Sequence, residues 1–289
     1  MRRSPLALIP VAAALLLAAC GSSSASTPSA SGSGSESASA TCTPATLETI
    51  QKGALTVATG DPAYPPWVED NKPESGKGYE AAVAYAVAKQ LGYTDADVKW
   101  VRTGFDEAIK PGPKNFDFNI QQYSITDARK KAVDFSSSYY DVTQAVVSYE
   151  GSPIANATTV AELKDAKLGA AVGTTSLKAI ETAIQPTQQA QVFNDNAAAV
   201  TALKNKQIDG LVVDLPTAFY LAGAEIDNGK IVGQLPNSAS SVEPLGLLLA
   251  KNSPITACVT QAVDALRADG TLAKLQDQYL AQAGAPVLK

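Results

Sequence analysis

The chain has 289 residues, a formal charge of −5, no histidine and three cysteines. Without histidine there is no Ser-His-Asp or Cys-His catalysis, no imidazole base and no usual catalytic zinc site. Three cysteines, one of them otherwise committed, cannot build a zinc or iron–sulfur cluster, and the acidic balance argues against nucleic acid as a partner.

Met1-Arg2-Arg3 followed by the apolar run Leu6 to Ala19 is the charge-then-apolar pattern of a secretory signal peptide. The run is shorter than the ~20 residues needed to span a bilayer as a helix. It ends Leu17-Ala18-Ala19-Cys20, which resembles the bacterial lipobox, where the cysteine is diacylated and residues 1–19 are removed. The alternative is a plain signal peptide with an incidental Cys20. Cleavage would take away Arg2 and Arg3 and no acid, leaving the mature chain more acidic still. Acyl chains contribute ~0.8 kcal/mol per buried methylene, so several of them anchor a soluble domain to the extracytoplasmic face of the cell membrane. Residues 20–42 are rich in Ser, Ala, Gly, Thr and Pro and read as a flexible tether. The remaining chain is long enough for two lobes.

From there the chain alternates short apolar runs with helical periodicity, the mark of an α/β fold. Strands are predicted at 54–59, 98–102 and 116–120. Helices are predicted at 79–91, from Phe105 and at 127–132. One extended run covers 140–148. A second section repeats the style. Its predicted helices are 160–163, 176–183, 196–205 and 217–222, and its strands 168–172, 191–193 and 210–213. A strand at 245–250 and helices at 255–269 and 271–279 close the pattern, with Gly270 as a C′ glycine between the last two.

Polar and aromatic residues follow the strands: Asp61 and Tyr64 the first, Ser124 and Arg129 the third, Thr174 and Thr175 the strand at 168–172, and Asp214 the strand at 210–213. Ligands of open α/β sheets bind outside the carboxyl ends of the strands. Taken singly, each is equally a turn or cap residue. Arg129 could be one exposed charge beside Lys130 and Lys131, and Asp214 a helix cap. Cys42 and Cys258 are either a disulfide, as an exported setting favours, or Cys258 is a core thiol on the apolar face of its helix with Ile255, Val259 and Ala262.

The run Ser124-Ile125-Thr126-Asp127-Ala128-Arg129, continuing to Val133-Asp134-Phe135-Ser136, resembles the family 3 extracellular solute-binding proteins, receptors of ABC importers for polar amino acids. So do Gly60-Asp61-Pro62-Ala63-Tyr64, Gly78-Tyr79-Glu80, Gly173-Thr174-Thr175-Ser176 and Asp209 to Asp214. The resemblance implies a two-lobed, periplasmic-binding-protein-like (type II) α/β fold with two hinge strands, near 139–143 and 242–246. Lobe 1 would comprise 43–140 plus 244–289 and lobe 2 141–243. That division puts both remaining cysteines in one lobe, which supports the bridge.

It also implies a ligand set: Asp61, Tyr64, Phe105, Ser124, Arg129, Thr174, Thr175 and Asp214, to which Gln122, beside Ser124, adds a hydrogen-bonding side chain. Arg129 would hold the ligand carboxylate bidentately and Asp214 its ammonium. Tyr64 and Phe105 would cover the side chain and Asp61 pair with its charge or accept from an amide, which favours a basic amino acid, with glutamine second. The pattern departs from relatives at Gln121 and Gln122, where small residues are common. The expected protein is a monomeric capture lipoprotein without cofactor or metal, docking on an ABC importer permease. A dehydratase-like enzyme and a sensory subunit are the alternatives.

Overall fold

The computed structural model describes residues 42–236, 243–280 and 284–289. The leader, Cys20 and residues 21–41 of the tether lie outside them. Among the described residues the chain runs through β1 (Leu55–Thr59), β2 (Val98–Arg102), β3 (Phe118–Asn119) and β4 (Val133–Val142). It continues through β5 (Gln144–Tyr149), β6 (Leu168–Ala171), β7 (Gln191–Phe193), β8 (Gly210–Asp214) and β9 (Gly229–Gln234), then returns as β10 (Glu243–Ala250). Two five-stranded sheets result, ordered β2-β1-β3-β10-β4 and β7-β6-β8-β5-β9. The helices are α1 (Tyr79–Gln90), α2 (Phe105–Ile109), α3 (Asp127–Lys130), α4 (Thr175–Ala179), α5 (Asn196–Lys204), α6 (Leu215–Tyr220), α7 (Thr256–Ala268) and α8 (Thr271–Tyr279). None is long and apolar enough to cross a membrane.

This is the two-lobed α/β architecture expected, and each sheet explains its own sequence. β1 lies parallel to β2 and β3 and is buried along its whole length. A parallel strand covered on both faces needs a near-continuous apolar run, which is why Leu-Thr-Val-Ala-Thr reads as one. α1 buries Val83, Ala84, Val87 and Ala88 against the first sheet, where α7 adds Val259, Val263 and Leu266. The second sheet has a core on each side, one around Leu203 and Leu211 and the other around Leu168 and Ile180.

The extended run expected at 140–148 is two strands. β4 begins at Val133 and pairs antiparallel with β10, while β5 pairs with β8 and β9 of the other sheet. Thr143 separates them, so the chain changes sheets there. It crosses back ahead of Glu243, which is paired with Val142. Val242 of the second expected hinge lies outside the described residues. β9 was not expected: Gly-Lys-Ile-Val-Gly-Gln carries little apolar pattern, and edge pairing with β5 makes it a strand.

The C-terminal tail departs from the expected division. α7 and α8 do join the first sheet's core. Val287, however, bridges Gln234 of β9, and Leu288 is buried beside Val232 and Leu235. Gln234 donates to Pro286 O at 2.8 Å and accepts from Leu288 N at 2.9 Å. The tail lies on the second sheet because β9 leaves an unpaired edge and Leu288 fills an apolar gap there.

Cys42 and Cys258 form a disulfide, with their Cα atoms 5.5 Å apart across 216 residues of chain. It ties the start of the folded part to α7.

Candidate functional site

A cavity of about 200 Å³ lies where strand ends of the two sheets face each other. The first lobe contributes Thr59 at the end of β1 with Gly60 to Tyr64 after it, Gly104 and Phe105 after β2, and Gln121 and Gln122 after β3. The second contributes Thr174, Thr175 and Ser176 after β6, Asn194 and Asp195 after β7, and Val213 and Asp214 at the end of β8. Seven of the residues singled out from the sequence are brought together here: Asp61, Tyr64, Phe105, Gln122, Thr174, Thr175 and Asp214.

Local structure fixes several of them. Thr174 caps α4, accepting from Leu177 N at 3.1 Å while its hydroxyl donates to Ala171 O at 2.7 Å. Gly173 before it has φ 71°, and a Cβ there would overlap Asp106 Oδ1, so only glycine lets the second lobe approach this closely. Asp214 precedes α6 but makes no side-chain capping bond. Its Oδ1 accepts from Gln144 Nε2 at 2.7 Å, and Gln144 Oε1 accepts from Ser176 Oγ at 2.6 Å. Asp214 is therefore oriented from behind and presented to the cavity. Burial and the nearby Glu243 push its pKa up to about 7, against the opposing pull of the Gln144 bond.

Ser124 and Arg129 do not line the cavity. Ser124 Oγ donates to Glu243 Oε2 at 2.7 Å and lies 3.2 Å from Thr175 Oγ1 of the other lobe. Arg129 is buried; it is not one more exposed charge beside its two lysines. Its guanidinium donates to Ser124 O at 2.8 Å and, across the lobes, to Gly173 O at 3.0 Å. It lies 5.3 Å from the centre of the Phe105 ring. Phe105 stacks on Tyr123, with ring centres 4.7 Å apart.

Trp67, Asp195 and Thr217 belong to the lining and were not in the expected ligand set. Asp195 follows β7 and caps α5, so the strand-end rule applied to that strand would have found it. Behind the cavity stands Glu80, fully buried at the start of α1. Gln122 N donates to its Oε1 at 2.8 Å, Tyr139 OH donates to the same oxygen, and Gln122 Nε2 donates to Oε2. Burial raises its pKa to about 7, opposed by those hydrogen bonds.

The charge of the site is one-sided. Asp61, Asp195 and Asp214 line it, and no lysine or arginine does among the described residues. A cleft of this polarity favours a ligand carrying positive charge.

Two α/β lobes with a polar cavity between their strand ends define a receptor for a small solute. The family model for bacterial extracellular solute-binding proteins, family 3, matches residues 55–282, and the chain belongs to that family. The L-arginine-binding protein of Pseudomonas aeruginosa is 28% identical over 75% of this chain and 84% of its own. The glutamine-binding protein GlnH of Bacillus subtilis is 26% identical over 95% of this chain and 96% of its own. Among solved structures, an ancestral arginine-binding protein bound to arginine superimposes with a TM-score of 0.66 at 28% identity, covering 79% of this chain and 98% of that one.

Proposed function

We propose that this protein captures a cationic amino acid between its lobes and presents it to an ABC importer. On this reading it works as a monomer held to the cell membrane by lipid on Cys20. The observation that carries the ligand class is the cavity lining of Asp61, Asp195 and Asp214 without a lysine or arginine among the described residues. The arginine-binding relatives support it.

In the proposed complex Asp214 takes the α-ammonium, and Tyr64 and Phe105 flank the side chain. Asp61 pairs with the charge at the end of that side chain. Arg129 takes the carboxylate, giving up Gly173 O for a charged acceptor that binds a guanidinium more strongly than a neutral carbonyl does. Ser124, Thr174 and Thr175 surround that carboxylate, and Gln122 closes the side-chain end. Opposed charges at the two ends fix the ligand's direction, because reversing it sets like charges together. The ligand binds both lobes and so shifts the population toward the closed form that the importer recognises.

Thermal unfolding of the purified protein against individual amino acids tests this. A ligand at a hundred times its dissociation constant adds about 2.7 kcal/mol of stability. L-Arginine, L-lysine or L-ornithine should raise the melting temperature, and Arg129→Ala or Asp214→Ala should abolish the rise. No rise with any of the three sinks the cationic assignment. Recovery of unchanged ligand after prolonged incubation separates capture from catalysis. Loss of uptake rather than of signalling in a deletion strain separates import from sensing.

A further inference from the structure

Gln122 lines the cavity from a backbone conformation that a side chain rarely takes, with φ 49°. The left-handed region costs a residue with a Cβ about 1–2 kcal/mol, and such a residue persists where its surroundings over-determine it. Here one side chain does the determining. The two oxygens of Glu80 hold both the backbone N and the amide Nε2 of Gln122. Glu80 is in turn fixed by Tyr139 OH, and Tyr79 OH donates to Tyr139 O at 2.8 Å. The start of α1 is anchored on the loop after β1, since Tyr79 N donates to Pro66 O at 2.9 Å and Glu80 N to Trp67 O at 3.0 Å. Glu80 therefore ties α1, the loop after β1 and the loop after β3 into one unit at the side of the cavity, without lining it.

We propose that Glu80 is a positioning residue that acts on the bound ligand through Gln122. It holds the strained backbone in place and orients the amide so that Oε1 is the end left to accept from the ligand. Gln122 Nε2 is the end of the amide that faces Glu80, where it donates to Oε2, and the ionised carboxylate, which only accepts, favours that orientation. The free end is then an acceptor, which selects a ligand group rich in N–H, such as a guanidinium or ammonium. This rests on the cationic amino-acid reading above and assigns one part of its selectivity.

A double-mutant cycle with L-arginine as the probe tests it. Gln122→Ala should weaken binding about tenfold, the loss of one charge-assisted hydrogen bond. Glu80→Gln keeps the shape of Glu80 but turns one acceptor into a donor. It should weaken binding by a similar factor in the native background and by less than about twofold when Gln122 is already Ala. Glu80→Asp keeps both acceptors on a shorter arm and should recover part of the affinity, whereas a space-filling role would be served better by Gln. If Glu80→Gln does not fold, the Glu80→Asp and Gln122→Ala cycle carries the same comparison. Equal losses from the Glu80 change in both backgrounds, or none in either, overturn the proposal. Failure of the unaltered protein to bind L-arginine, L-lysine or L-ornithine overturns the ligand class and this inference with it. Binding with an additive cycle overturns the inference alone.

Discussion

The indole Nε1 of Trp67 in the first lobe donates to Thr217 Oγ1 in the second at 2.9 Å, with both residues buried. With Arg129 to Gly173 O and Ser124 to Thr175, it is one of the direct polar contacts that join the lobes around the cavity. Thr217→Val removes the acceptor and leaves a buried N–H unpaired, at a cost of about 1–3 kcal/mol to the closed form. Affinity for the ligand should fall by roughly five- to a hundredfold in calorimetry. Trp67 and Trp100 are the chain's two tryptophans, so in a Trp100→Phe background the emission of Trp67 reports closure directly. Unchanged affinity in Thr217→Val would show that this contact is not part of the closed state.

Asp214 and Glu80 are both pushed up to about 7 by burial, well above the range near 4 of free carboxyls. A carboxyl whose folded pKa is raised binds its proton more tightly folded than unfolded. Stability then falls as pH climbs from about 4 to about 7 and levels off above that. The ligand-free protein should melt at a higher temperature near pH 5.5 than near pH 7.5. Affinity for L-arginine should run the other way, weakening as pH drops through about 7 and Asp214 takes up a proton. Asp214→Asn should weaken binding about 10- to 100-fold and flatten the pH dependence of affinity. Parallel slopes for stability and affinity would contradict the ammonium role of Asp214.

Reduction of the Cys42–Cys258 bridge, or Cys258→Ala, should cost about 2–4 kcal/mol of stability. In a protein of this size that lowers the melting temperature by several degrees. Neither cysteine lines the cavity, so the affinity of the folded fraction should be unaltered. A change in affinity matching the change in stability would mean that the bridge shapes the site.

Leu288 is 2% exposed in the second lobe's core. Leu288→Ala should destabilise by about 2–5 kcal/mol, as buried leucine truncations do. Denaturant unfolding measures it, and a loss within about 0.5 kcal/mol, the range of ordinary surface changes, would place the tail's packing in doubt.

Much of the fold was legible in the sequence because burial on both faces writes a near-continuous apolar run into β1, β6 and β8, and because α1 and α7 carry an apolar face against one core. The strand-end rule likewise found Asp61, Tyr64, Thr174 and Asp214, since a residue just past a parallel strand has one place to be. Tertiary structure decided what depends on partners distant in the chain. β9 is a strand because β5 offers it an edge, and Thr143 divides an extended run because its two halves pair in different sheets. Cys42 and Cys258 are bonded because folding brings together positions 216 residues apart. Arg129 could be read as a charge in a motif, but its burial under Phe105 and its reach to Gly173 depend on the second lobe. Glu80 was legible as part of the Gly78-Tyr79-Glu80 motif but not as a positioning group; the packing of α1 against the loops after β1 and β3 makes it a buried carboxylate with three donors. Local pattern records which face of an element is apolar, whereas the identity of what it meets is a property of the whole chain.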